Sequence, residues 1–65
     1  MHTRIRQMST GALEASLYMH TEVIGVACLI ELLAREGMPS VYAHYAAVQD
    51  WHKVSSGLLH WRELL

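Results

Sequence analysis

Five histidines in 65 residues are the side chains best suited to chemistry in this chain. Neutral imidazole is the commonest metal ligand and titrates nearest to neutral pH. His44, His52 and His60 follow one another at intervals of eight residues. On a helix, eight residues rotate a side chain by about 80° beyond two full turns. The three therefore spiral around a helix instead of stacking. Zinc sites on one helix use i, i+3 or i, i+4 pairs, and no two histidines here have that spacing. His20-Thr21-Glu22 brings a histidine near a carboxylate in sequence, but adjacent helix positions diverge. A metal or haem would need ligands from facing helices of two chains, with His20 or His44 as first candidates. The residues themselves predict no metal site, no cofactor, and histidines that are exposed or half-buried.

Cys28 is the only cysteine, which excludes an intramolecular disulfide and with it a disulfide-stapled secreted mini-domain. It lies in the most apolar stretch, where burial raises a thiol pKa and removes reactivity, so it is read as core. The four glycines are scattered and form no phosphate loop, and no Ser-His-Asp order is persuasive. The chain is expected not to be an enzyme.

The element that must position everything else is Val23 to Ala34, Val-Ile-Gly-Val-Ala-Cys-Leu-Ile-Glu-Leu-Leu-Ala. It is apolar nearly all round, whereas a surface helix is apolar along one stripe. It needs partners on more than one side. Glu31 is its only charge, expected to face solvent between stripes or to meet an arginine across an interface.

Apolar residues make up 52% of the chain, so it is not a disordered sequence. A net charge of −1 gives no general electrostatic case for nucleic acid or anionic membrane. Arg4 and Arg6 are the only basic cluster, leaving a nucleic-acid accessory role as a distant alternative. The first long apolar run starts too late for a signal peptide, and no uncharged run approaches the ~20 residues of a membrane span. The expected location is cytoplasmic.

Residues 1–9 show little periodicity and are read as a flexible N-terminal arm. Ser9 or Thr10 can cap a helix over residues 10–36. Ala12, Ser16, Met19, Val23, Val26, Ile30 and Leu33 alternate four and three apart, a heptad seam with one polar member. Leu13, Leu17, Ile24 and Ala27 form a second stripe, and Leu29 and Leu32 a third. Arg35, Gly37 and Pro39 mark a helix stop, with Met38 placed to touch Leu33 in a Schellman ending. Residues 37–40 then form a turn short enough to make antiparallel neighbours.

A second helix is predicted over residues 40–64. Its seam is His44, Ala47, Trp51, Val54, Leu58, Trp61 and Leu65, thickened at the start by Val41, Tyr45 and Val48. Ser55-Ser56-Gly57 is its weak point, with a possible break at 55–57. The seam stays in register across that gap, which favours a continuous helix.

The predicted fold is all-α: an antiparallel two-helix hairpin, residues 10–65, that dimerises into a four-helix bundle. Its dimer and core seam is Met19, Val23, Val26, Ile30, Leu33, Ala47, Trp51, Val54 and Leu58. Chains this short seldom bury enough apolar surface alone, which points to a homodimer. The surplus of aromatic and apolar residues predicts a non-enzymatic interaction protein, an adaptor, anti-activator or inhibitor of a larger protein, a profile common among small phage proteins. Tyr18, Tyr42, Trp61, Arg62, Leu64 and Leu65 are the candidate partner-binding residues, since aromatic and arginine side chains make interface hot spots.

Overall fold

The computed structural model of the chain describes the backbone of residues 2–19 and 21–65, and the side chains of residues 4–18 and 21–65. Every regular element among them is helical. In chain order these are α1 (His2–Gln7), α2 (Thr10–Met19), α3 (Glu22–Arg35), α4 (Ser40–Ser55) and a short 3₁₀ turn (Trp61–Leu64). No described helix is long and apolar enough to cross a membrane.

The apolar stretch behaves as its composition requires. α3 packs against α1, α2, α4 and the 3₁₀ turn. Gly25, Ala27, Cys28, Leu29, Leu32 and Leu33 are all buried along it. α4 runs antiparallel to α3, so that Glu22 and His52, far from the connecting turn, come to 3.5 Å. The two helices approach closely at Gly25. A Cβ there would overlap the indole ring of Trp51, which lies over the bare backbone.

The expected helix over residues 10–36 is instead two helices. Thr21 is extended, with φ −65° and ψ 167°, and precedes α3 as its N-cap residue. A single long helix would hold its Leu13 and Leu17 stripe out for another chain. Folding α2 back onto α3 buries both leucines completely. Hydrophobic burial, not local propensity, decides this break. Ser9 caps α2 as expected, its Oγ accepting the Ala12 N–H at 3.1 Å.

The same applies to the expected helix over residues 40–64, which ends at Ser55. Gly57 adopts φ +83°. Its N–H donates to the Val54 carbonyl, and the Leu58 N–H to the Lys53 carbonyl. This is a Schellman ending. α3 ends identically: Gly37 has φ +96°, with Gly37 N–H to Ala34 and Met38 N–H to Leu33. The reversal after Gly57 returns the chain to the core, where Trp61 is 1% exposed.

Residues 2–7, which show little periodicity in sequence, form a helix. α1 is shorter than an isolated helix can sustain, and two tertiary contacts hold it. Ile5 is buried, and the Arg35 guanidinium donates to the carbonyls of Ile5 and Arg6 at 3.4 and 3.0 Å. Arg35 also donates from Nε to Glu31 at 2.9 Å, so the lone charge of the apolar stretch is paired on its own helix.

The heptad seam is therefore only partly the core of this chain. Leu33, Ala47, Trp51 and Val54 are buried; Val26 and Ile30 are half-buried; Val23 and Leu58 are exposed. The Met19 side chain lies outside the described residues. The expected seam presumed two straight helices. With breaks near residues 21 and 56, the second and third stripes (Leu13, Leu17, Leu29, Leu32) turn inward instead. The described residues of one chain form four α-helices, with α1, α2 and α4 packed against α3.

Candidate partner-docking surface

α4 carries two apolar faces. Ala43, Ala47, Trp51 and Val54 point into the core. Val41, Tyr45 and Val48 do not, being 77%, 69% and 64% exposed. Their i, i+4, i+7 spacing places them in a sector roughly 60° wide, about a third of a turn from the buried face. His52 continues the stripe and Tyr42 flanks it, both exposed. Between His44, Tyr45, Val48 and Gln49 lies a shallow, mainly apolar depression. His44 also lines a second groove, between α1, α3 and α4, with Ile5, Ala27, Ile30 and Ala34 along it and Arg6 and Glu31 at its charged edge. The outer face of α4 is thus continuous with a groove over α3.

The site residues expected from sequence divide into four groups. Tyr42 and Leu65 are exposed and line one shallow patch with Met38 and Pro39 at the end of the molecule near the α3–α4 turn. Tyr18 is exposed on α2 and belongs to neither surface. Trp61 and Leu64 are turned inward: Leu64 packs against the core, and Trp61 is fully buried with its indole N–H donating to Glu14 at 2.8 Å. Trp61 is thus not available to a partner. Its burial follows from the reversal at Gly57. Arg62 is exposed, but its guanidinium lies 4.5 Å from the Trp61 ring centroid and 3.6 Å from the Glu36 carboxylate.

The stripe of Val41, Tyr45 and Val48 was expected to thicken the core seam. The signal for a second face was present in its heptad spacing, which runs parallel to the inward seam.

Among the described residues, the remaining chemistry-bearing side chains do not converge. His44 Nδ1 is 2.9 Å from the Ser40 carbonyl. His52 Nε2 lies 3.5 Å from the exposed Glu22 carboxylate. His60 is structural: its Nδ1 accepts the Arg62 N–H, while Glu63 accepts the His60 N–H at 2.7 Å. Among the described residues, no three of His, Cys, Asp or Glu gather where they could hold a metal ion. His20 lies outside those residues. Cys28 is buried, and desolvation pushes its thiol pKa up, away from nucleophilic reactivity. Arg4 and Arg6 are exposed on α1, and the Arg6 carbonyl is taken up by Arg35.

No protein-family model, curated protein or solved structure matches this chain.

Proposed function

We propose that this protein is a non-enzymatic protein–protein interaction module that presents α4 as its docking helix. One observation carries the reading: the outward stripe of Val41, Tyr45 and Val48 on a helix whose inward face, about a third of a turn away, already fills the core. Isolated exposed apolar residues are ordinary, but a contiguous stripe at helical spacing matches the way a helix presents itself to a groove or to another helix. A module that docks through this helix can serve as an adaptor, anti-activator or inhibitor of a larger protein.

The test compares wild-type bait with a Val41→Glu, Val48→Glu double variant in affinity capture under a high-salt wash. Both positions are exposed, so the variant should keep its helicity by circular dichroism. Protein captured by the wild type in stoichiometric amount and lost from the variant supports docking through α4. A protein retained equally by both overturns it.

A further inference from the structure

We infer that the occupant of the α4 stripe is a second copy of this chain, paired α4 to α4 about a two-fold axis. The inference rests on the reading of α4 as a docking helix and names its partner.

Charge is the first argument. No Asp, Glu, Lys or Arg occurs between Glu36 and Asp50, a stretch that includes the whole N-terminal half of α4. In a two-fold interface the same patch meets itself, and residues near the axis face their own copies. Any charge there is opposed by the same charge. A face that pairs with itself must therefore be neutral near the axis, and this one is. Partners of different sequence are commonly selected by complementary charge around the contact, and the middle of this stripe offers none.

The second argument is shape. The stripe repeats at 41, 45, 48 and 52, which is the four-three alternation of a helix-pairing seam. The depression between His44, Tyr45, Val48 and Gln49 is formed by four residues of one helix. A depression on an exposed helix face can seat a side chain from a facing helix. Tyr45 and Val48 are at once walls of the hole and the protruding side chains on either side of it, so two copies supply each other with both halves of the contact. Tyrosine suits the position, since its ring is buried while its hydroxyl stays at the wet edge.

Size is the third. A standard interface takes about 800 Å² from each partner, roughly a fifth of the 4215 Å² this chain exposes. The stripe of Val41, Tyr45 and Val48 on one helix offers less than that, and interfaces below the standard size are the weak, transient ones. The pair is accordingly a reversible dimer and not an obligate one.

Sedimentation equilibrium of the purified chain over a wide concentration series tests this, with wild type, Tyr45→Glu and Leu58→Glu compared. Leu58 is 81% exposed and stands off α4, although heptad spacing alone assigns it to a self-pairing seam. The expected result is a monomer–dimer equilibrium for wild type and for Leu58→Glu. Tyr45→Glu should raise the dimer dissociation constant about 100-fold, because each dimer then desolvates two carboxylates in apolar contact. All three should share one helical circular-dichroism spectrum. Wild type that stays monomeric throughout overturns self-pairing, as does a dimer indifferent to Tyr45→Glu or one lost equally in Leu58→Glu. A monomeric wild type whose captured partner is still released by Val41→Glu, Val48→Glu would fail this inference alone; retention of that partner would fail the docking reading itself.

Discussion

The indole N–H of Trp61 donates to the carboxylate of Glu14 at 2.8 Å, joining the last turn of the chain to α2 across 47 residues of sequence. The contact closes the molecule. His60 and Glu63 fix the 3₁₀ turn by reciprocal capping, Arg62 covers the outer side of the ring, and Trp61 fills the space that the reversal at Gly57 opens toward α3.

Removing the acceptor should therefore be felt far from either residue's own helix. Glu14→Ala leaves a buried N–H without a partner and should cost about 1.5–3 kcal/mol, the range for hydrogen bonds to charged groups. Glu14→Gln keeps an acceptor and should lose less. Trp61→Ala should cost about 3–5 kcal/mol through cavity formation. Urea unfolding of the three variants checks the order. A Glu14→Ala midpoint equal to wild type would show that the bond contributes nothing to the fold.

Gly25 and Gly11 make a matched pair with opposite expected signs. Both lie in helices, but a Cβ on Gly25 would overlap the Trp51 ring while a Cβ on Gly11 meets open space. Gly25→Ala should destabilise by about 1–3 kcal/mol, because the indole must move within a packed core. Gly11→Ala should stabilise by up to about 1 kcal/mol, through the lower backbone entropy of the unfolded chain. Thermal melts of the two variants beside wild type decide it. Equal shifts in the same direction would mean that α3 and α4 do not approach through Gly25.

Gly37 and Gly57 hold left-handed positions with free space around each. Substitution there tests backbone conformation without steric clash. Gly37→Val and Gly57→Ala should each cost on the order of 1–2 kcal/mol, the cost of placing an L residue in that region. Gly57→Asn should recover part of the loss, since asparagine tolerates it better. Denaturant midpoints that leave Gly57→Ala unchanged would mean α4 need not end there.

These two glycines also show where the sequence was legible. At Gly37, Arg35 before it and Pro39 beyond agree, and the helix ends where they say. At Gly57 no proline follows, and the heptad running on through Leu58, Trp61 and Leu65 argues for continuation. The contest was settled by Trp61 and Glu14, 47 residues apart, a distance that no local pattern spans. The break before α3 has still less local signal. Thr21 takes the N-cap position without a side-chain hydrogen bond, and what selects the break is the burial of Leu13 and Leu17. α1 was illegible for a similar reason, since its stability comes from Ile5 and from Arg35, thirty positions along. The all-helical class and the central role of Val23 to Ala34 were legible because they depend on composition and periodicity. The docking face was legible only as two apolar stripes on one helix. Which of them faces inward depends on the small Ala43 and Ala47 and on the space that Gly25 leaves for Trp51.

Cys28 gives the stability one pH dependence with a known sign. It is 1% exposed, and burial holds its thiol pKa above the ordinary value. A group whose pKa is raised on folding stabilises fully below its unfolded pKa and loses that contribution as pH rises through the folded value. Above about pH 8.5, where an unfolded thiol ionises, the unfolded chain releases a proton that the folded chain retains, and stability should fall. The measurement is urea unfolding at a series of pH values from neutral to about 9.5, below most tyrosine and lysine titration. Wild type should lose stability over the upper part of that range, and Cys28→Ala, though less stable throughout, should lose less with pH. Thiol labelling gives an independent readout: the native protein should react slowly and become fully reactive in denaturant. Rapid labelling of the folded chain near neutral pH would place the thiol at the surface and contradict the packing of α3 against its neighbours.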